Sequence, residues 1–280
     1  MLDNLLKIFS NRTRSLEILY LLENIKKIVR LDANDSEFKK IKKFCDKENL
    51  SLEVSDFKVI KIMDEGKGGY ANIVKRVPLS NSEQGLKHIY ISKDKNKTKF
   101  LKILESKNDD VAIGQLLGYP KCCVNFFMKN KENQQKLQND YILPTLGNSE
   151  GFEFPFYLNY VVRYFDVTLL SHFPHDFNCK ESIKITEKNL ECIKKHSKEL
   201  ADKFEKMLQS AILYTEHQGI FVFKDFELKS NTLHYNEIKS TINNELLKLL
   251  NQNKKIEIID KNRIKMGNKF LEDIGIMVFN

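Results

Sequence analysis

The sequence predicts an α+β fold in which a largely helical N-terminal half packs with an antiparallel sheet. Two observations carry this prediction: apolar residues recur at helical spacing in the first part of the chain, and short alternating runs dominate after residue 219. At 280 residues the chain is long enough to bury one large core. We therefore expect a single domain over residues 1–280, with residues 219–280 as a candidate β-rich subdomain.

The first part of the chain is predicted to alternate between helices and short strands. The second N-terminal helix is expected to be capped by Asn34 or Ser36, since short polar side chains satisfy the free amides of a helix start. In chain order the expected elements are two helices within residues 1–50, strands at 52–54 and 57–62, a mobile loop at 66–85, a strand at 88–92, and helices at 97–106 and 111–117.

A helix boundary is predicted at Gly118 and Pro120, because glycine ends helices and proline is favoured in a first turn. A loop with prolines and glycines then leads into an apolar segment, residues 157–170, and a polar turn, residues 171–179. The expected elements after the turn are one long helix at 180–214, strands at 219–226, 232–235, 255–259, 264–266 and 274–279, and a helix at 238–251.

The five cysteines suggest thiols rather than a disulfide framework, because their number is odd and their spacing is irregular. Without a secretory signal or an apolar run long enough to span a membrane, the protein is expected in the reducing cytoplasm. Cys45 and Cys192 lie in helical patterns and are expected to pack as hydrophobes. Chemistry is therefore expected at Cys122, Cys123 and Cys179.

The net charge of +8 and the isoelectric point near 9.0 favour an anionic partner. Lysine is abundant along most of the sequence, which indicates compositional bias rather than one focused patch. We find no zinc-finger spacing, no aromatic RNA-binding motif and no arginine cluster. The sequence therefore disfavours nucleic acid as the partner and favours an acidic protein or an anionic substrate.

The pair Cys122 and Cys123 has a physical reason to be reactive. If Pro120 starts a helix, both thiols fall in its first turn, where free amides and the positive end of the dipole favour a thiolate. Lys121 adds positive charge. The alternative is that the two thiols pack beneath Phe126 and Phe127 one turn later.

A second group, His172, His175 and Cys179, follows within the polar turn. A histidine near a thiol can remove its proton, and a carboxylate can orient the imidazole. Asp176 is the local candidate for that orienting role, and Asp225, near the end of a predicted strand, is a distant one. His172 and His175 are both candidates for the base.

The same residues also suit a metal site. Cys122 or Cys123 together with His172, His175 and Cys179 offers the thiolate and imidazole ligands that zinc prefers. The spacing His-x2-His-x3-Cys is not a standard one. The sequence leaves open zinc or iron binding as the alternative to cysteine catalysis without a cofactor.

The segments GYPKCCVNFF and SHFPHDFNCKESI resemble an uncharacterised archaeal and bacterial family with Gly-Tyr-Pro-x-Cys-Cys followed by His-x-Pro-Cys-x3-Cys. The likeness covers about residues 111–185, and His175 stands where that family more often has cysteine. In chain order, the thiol, histidine and acid also resemble papain-like and transglutaminase-like enzymes, without their local signatures. More loosely, the chain resembles the cysteine-protease-like amide synthetases of thiotemplated, closthioamide-type biosynthesis. That resemblance implies amide formation from a carrier-bound thioester.

The leading prediction is therefore a cysteine-dependent acyltransferase, an amide synthetase whose partner is an acyl or peptidyl carrier protein or another thioester substrate. Cys122 or Cys123 would be the nucleophile and His172 the base, with Asp176 or Asp225 orienting it. The resemblance favours His172 over His175, because His172 belongs to the recurring family motif. Backbone amides at the start of the helix would stabilise the oxyanion. The competing prediction is a zinc- or iron-binding protein, and a third is an RNA- or DNA-binding accessory protein.

Overall fold

The computed structural model describes residues 1–61, 74–136 and 140–280, which form helices and strands in mixed order and confirm the α+β class. The helices in these residues are α1 (Leu2–Phe9), α2 (Arg12–Leu22), α3 (Asp35–Lys47), α4 (Lys95–Ser106), α5 (Asp110–Leu116), α6 (Lys121–Lys136), α7 (Ile142–Asn148), α8 (Lys180–His196), α9 (Lys198–Leu208) and α10 (Glu245–Asn253). The strands are β1 (Ile28–Ala33), β2 (Ser51–Lys61), β3 (Val74–Pro78), β4 (Leu86–Ser92), β5 (Glu153–Phe154), β6 (Ala211–Thr215), β7 (Gly219–Lys229), β8 (Thr232–Ser240), β9 (Lys255–Asp260), β10 (Arg263–Met266), β11 (Lys269–Leu271) and β12 (Gly275–Phe279). Short 3-10 turns lie at Phe156–Leu158 and Val161–Phe165.

Two compact units make up the described chain, and each is built from separate stretches of sequence. The first contains residues 1–61, 74–131 and 187–201; the second contains residues 132–136, 140–186 and 202–280. Compact units of this kind can belong to one domain, so the single-domain expectation for residues 1–280 stays a prediction.

The first unit is organised around a four-stranded antiparallel sheet with the order β1-β4-β2-β3. One side of β1 and β4 presents Ile28 and Tyr90, which pack against Leu101 and Leu104 of α4. Because side chains alternate along a strand, Val29 and Leu31 point to the opposite face, where they are also buried. Residues on both faces of β1 are therefore buried.

The second unit contains an eight-stranded sheet with the order β11-β10-β9-β8-β7-β6-β12-β5. All neighbouring pairs are antiparallel except β12 and β5, which run parallel. Leu246 and Leu250 of α10 join the core on this sheet, and the Tyr235 hydroxyl donates a hydrogen bond of 2.8 Å to the Leu250 carbonyl. The predicted β-rich segment, residues 219–280, lies entirely within this unit.

Near the N-terminus the structure corrects two predictions. Residues 1–50 form three helices and a strand rather than two helices, because residues 28–33 pair with β4 and bury Val29 and Leu31. The predicted loop at 66–85 is wrong for residues 74–78, which form the edge strand β3; its residues 66–73 lie outside the described residues. The predicted cap is confirmed: the Asn34 side chain accepts hydrogen bonds from the Ser36 and Glu37 amides.

Two C-terminal predictions were also wrong in their bounds. The expected helix at 180–214 breaks at Ser197, whose hydroxyl caps α9, and residues 211–215 form the fully buried central strand β6. A short, continuously apolar run fits a buried strand as well as a helix, so periodicity alone does not separate them. The expected helix at 238–251 begins only after Asn244, which caps α10, because β8 continues to Ser240.

None of the described helices is long and apolar enough to cross a membrane.

Candidate metal and catalytic site

The turn between α5 and α6 places the cysteine pair. Gly118 has a left-handed φ of +82°, and the amides of Gly118 and Tyr119 donate to the carbonyls of Gln115 and Gly114 at 3.0 and 2.9 Å. This bond pattern ends a helix and suits glycine, which has no Cβ to clash in that conformation. The prediction that one helix ends at Gly118 is confirmed.

Helix α6 begins at Lys121, so Pro120 lies immediately before the helix rather than at its first position. The Pro120 carbonyl accepts hydrogen bonds from the amides of Cys123 and Val124, at 2.9 and 3.0 Å. Cys122 and Cys123 therefore lie in the first turn, as predicted. Positive charge at a helix start stabilises an anionic sulfur, whether it acts as a nucleophile or as a metal ligand.

The two thiols are close to each other. Their Sγ atoms lie 3.9 Å apart; Cys122 is half-buried and Cys123 is buried. A tetrahedral zinc site with Zn–S bonds of about 2.3 Å has sulfur–sulfur edges of about 3.8 Å. The separation of the pair therefore matches one edge of such a site.

Close packing of α5 on α6 fixes where this pair lies. A Cβ atom added to Gly114 would come 2.8 Å from Cγ2 of Val124, a distance that real Cβ atoms essentially never show. The absence of a side chain at Gly114 lets α5 approach the first turn of α6 directly. The glycine therefore helps position both thiols.

The segment before α8 presents His175 and Cys179. The Cys179 carbonyl accepts the first helical hydrogen bond from the Ile183 amide, at 3.0 Å, so Cys179 is the residue that caps α8. Its own amide donates to the Asp176 carbonyl at 3.1 Å, which closes a turn. The Asp176 carboxylate accepts from the Asn178 amide at 2.6 Å within the same turn. Asp176 thus has a structural contact that holds the turn before Cys179.

Helix α7 holds the backbone of this turn in place. The Thr145 hydroxyl donates to the Pro174 carbonyl at 2.8 Å, and the Asn148 side-chain amide donates to the His175 carbonyl at 3.1 Å. The Ser149 hydroxyl accepts from the Phe177 amide at 2.9 Å. Only a loop was predicted in this region, because Pro144 and Gly147 are typical of turns. That pattern gave no indication of the contacts that Thr145, Asn148 and Ser149 make with the turn.

Aromatic packing holds the same turn from a second side. The Phe173 ring stacks on Tyr141 at a centroid distance of 4.4 Å and meets the Tyr160 ring edge-on at 5.9 Å. The Arg163 guanidinium lies 5.2 Å from the Phe173 centroid. Because Phe173 stands two residues before His175, these contacts limit the freedom of the histidine.

Four of the predicted residues form one group. The ligand atoms of Cys122, Cys123, His175 and Cys179 all lie within 4.8 Å of one another. Three sulfurs and one imidazole nitrogen are a donor set typical of zinc. The Cys/His cluster could therefore hold a metal ion or form a catalytic site.

The remaining predicted residues are not members of this group. His172 is buried, and its Nε2 lies 2.9 Å from the Ser182 hydroxyl. Asp225 is exposed, has a left-handed φ of 47°, and lies 3.9 Å from the Lys206 ammonium. The catalytic roles predicted for His172, Asp176 and Asp225 stay predictions. Spacing along the chain could not show which of two histidines three residues apart would join the thiols.

Cys45 and Cys192 are both buried, as expected of packed thiols. Burial, with a smaller contribution from Asp46, raises the pKa of Cys45 to about 12. Burial and then Glu23 raise the pKa of Cys192 to about 11. These two thiols are therefore inert internal references for the reactivity of the cluster.

Residues 97–209 match the profile of a family described as a protein of unknown function (DUF483). The matched region contains all four residues of the Cys/His cluster. No curated protein and no solved structure matches the chain. The similarity supports the expected likeness to an uncharacterised family over this region.

Proposed function

We propose that the protein binds a single zinc ion through Cys122, Cys123, His175 and Cys179. The observation that carries this proposal is the convergence of four ligand atoms within 4.8 Å of one another. Ideal zinc bonds to sulfur and nitrogen place neighbouring ligand atoms about 3.5 to 3.8 Å apart, so closure on the ion requires each separation to contract by at most about 1.3 Å. Rotation of the side chains is enough for such a shift.

The donor set favours zinc over other metals. Thiolate and imidazole are soft or intermediate ligands, which select zinc or iron over magnesium and calcium. A bridged iron–sulfur cluster spreads its thiolates over several irons, whereas these four atoms share one small volume. A single tetrahedral ion is the better fit, with mononuclear iron as the alternative.

Four protein ligands would fill the coordination sphere of zinc. Sites of that kind are structural, since catalytic zinc keeps one position for water or substrate. The ion would then stabilise the first turn of α6 and the capping turn of α8. Positive charge at the two helix starts would favour the thiolate form of the ligands.

The direct test is metal analysis of the untagged protein. We expect about one zinc per chain, and replacement of Cys123 or Cys179 by serine should remove most of it. The matched control is Cys192→Ser, which changes a buried thiol outside the group and should leave the metal content unchanged. Metal-free wild-type protein that does not take up added zinc would contradict the proposal.

A second candidate, cysteine-dependent acyl transfer, is favoured by the position of the thiols at a helix start. In this proposal the thiolate of Cys122 or Cys123 attacks a thioester carbonyl; the new C–S bond forms as the bond to the carrier thiol breaks. An amine then displaces the cysteine and gives an amide, the reaction of an amide synthetase. His175, in the cluster, or His172 would carry the proton, and α6 backbone amides would stabilise the oxyanion.

The partner of such an enzyme would be an acyl or peptidyl carrier protein or a free thioester. Zinc binding and acyl transfer make opposite demands on the thiols: a ligand is protected by its metal, whereas a nucleophile must be accessible as a thiolate. The two proposals are therefore separable by reactivity with and without a chelator.

A further inference from the structure

The positive charge of the protein is concentrated in one of its two units. The first unit carries 29 basic and 18 acidic residues, a net charge of +11, whereas the described part of the second carries 16 and 18, a net charge of −2. The sequence alone did not reveal this division, because three separate stretches build the first unit. The excess of basic residues therefore belongs to the first unit and is not spread evenly over the chain.

Within the first unit, α3 carries a face made almost entirely of lysine. Its inner side buries Ile41, Phe44 and Cys45. Five exposed lysines share the outward arc, which we call the α3 lysine face: Lys39, Lys40, Lys42, Lys43 and Lys47. Asp46 is the one acidic residue on the same arc, so the α3 lysine face carries a net charge of +4.

The acidic residues of the first turn of α3 are already paired elsewhere. Asp35 binds Lys87 at 2.7 Å, and Glu37 binds Arg14 at 2.8 Å. In the part of the chain that the structure describes, none of the five lysines forms an ion pair with a carboxylate. Their charge is therefore available to a partner.

The spacing of the lysines suits a polyphosphate backbone. Lys39, Lys43 and Lys47 follow one another at intervals of four residues, which is about 6 Å along a helix. Phosphates of one nucleic-acid strand repeat every ~3.4 Å along the duplex axis. Successive lysines can therefore reach about every second phosphate of a strand that runs along α3.

The composition of the face separates nucleic acid from an acidic protein. Protein–protein interfaces are depleted in lysine and depend on aromatic or arginine anchors. Among the described residues, α3 exposes no large hydrophobic side chain, and it contains no arginine. Lysine alone neutralises phosphates without reading bases. We propose that the α3 lysine face binds the phosphate backbone of nucleic acid without sequence specificity.

The test compares two triple variants of the full chain that remove the same charge. The first is Lys39→Gln, Lys43→Gln and Lys47→Gln on α3. The matched control is Lys229→Gln, Lys255→Gln and Lys269→Gln, three exposed lysines of the second unit. Glutamine keeps a helix propensity close to that of lysine, so the α3 variant should fold, and the control changes only exposed residues of the strands β7, β9 and β11. Circular dichroism and thermal unfolding would check both variants.

Binding to single-stranded RNA, single-stranded DNA and duplex DNA of mixed sequence is measured from 50 to 200 mM salt. The α3 variant should bind at least about tenfold more weakly, and its slope of log K against log salt should shrink by about 2 for single strands or 2.7 for duplex. The control should stay within about twofold of wild type. The three probes show which nucleic acid is preferred.

Three outcomes would overturn the proposal: equal weakening of both variants, no binding by the wild type at 50 mM salt, or competition by polyglutamate as effective as that by nucleic acid. The last outcome would assign the α3 lysine face to acidic proteins. None of these results depends on the presence of zinc, so the nucleic-acid proposal is tested independently of the proposed metal site.

Discussion

Glu105 is a buried carboxylate held by three basic side chains. Its oxygens contact Arg30 and, at 2.9 and 3.3 Å, Arg76 and His88. Burial opposes ionisation, but the hydrogen bond from His88 and the charge of Arg30 outweigh it and lower the pKa of Glu105 to about 2. A carboxyl with a lowered folded pKa stabilises the fold above its unfolded pKa, about 4.3, and the stabilisation is lost as pH falls toward 2.

Replacement of Glu105 by Gln should therefore destabilise the protein at neutral pH by about 2 to 3 kcal/mol, because the partly exposed side chains of Arg30 and Arg76 lose a buried, ionised partner. Urea unfolding at pH 7 and at a series of lower pH values would measure the difference from wild type, which should shrink below about pH 4. The control, Glu245→Gln, removes an exposed ion pair with Lys248 and should cost less than about 0.5 kcal/mol. If the destabilisation caused by Glu105→Gln stays the same down to pH 2, the lowered pKa of Glu105 is contradicted.

At the scale of elements, the contact between α5 and α6 depends on Gly114. Replacement by alanine would push a methyl group against Val124, 2.8 Å from its Cγ2, and displace the first turn of α6 with both thiols. We expect a loss of about 1 to 3 kcal/mol in stability and weaker zinc binding. Thermal unfolding and a zinc competition assay would measure both effects.

Two controls sharpen this prediction. The double variant Gly114→Ala with Val124→Ala removes the clashing methyl and should recover zinc affinity even though it loses buried apolar volume. Gly147→Ala in α7 adds a Cβ with no atom within 4 Å and should leave the Cys/His cluster and its affinity for zinc unchanged. Zinc binding equally weak in the single and double Gly114 variants would show that the clash is not the cause.

The sequence predicted those elements whose local signals agree with their tertiary environment. Gly118 and Pro120 mark a helix boundary by backbone chemistry alone, and Asn34 caps α3 with its own side chain. Prediction from sequence failed for β1, which pairs with the distant strand β4, and for β6, which lies between its neighbour β7 and the distant strand β12. At the site, it identified all four members of the Cys/His cluster, but the contacts from Thr145, Asn148 and Ser149 arise only in three dimensions.

At the scale of the whole molecule, the proposed nucleic-acid binding and the proposed zinc binding would depend on different residues. The excess positive charge lies in the first unit, including the α3 lysine face, while the cluster depends on the starts of two other helices, α6 and α8. Salt should therefore weaken polyanion binding without releasing zinc, since a coordinate bond is not screened as surface charges are. A chelator should remove zinc without weakening polyanion binding.

Removal of the proposed zinc ion should destabilise the fold as a whole. Ligand binding energy is coupled to folding, so a chelator should lower the Tm of the wild type, by roughly 10 to 20 °C if about 5 kcal/mol is lost from a chain of this size. The same treatment should leave the Tm of Cys179→Ser nearly unchanged, because that variant has already lost the ion. Scanning calorimetry of matched samples would measure both.

Alkylation of the same samples by iodoacetamide separates the two proposed functions. With zinc bound, Cys122, Cys123 and Cys179 should react slowly, and the chelator should accelerate them, while Cys45 and Cys192 stay unreactive because burial raises their pKa values. Rapid modification of Cys122 or Cys123 in untreated protein, with no change in Tm on chelation, would instead favour a free nucleophile. That combination would count against the zinc site and for acyl transfer, because a ligand cannot be both protected by its metal and available to an electrophile.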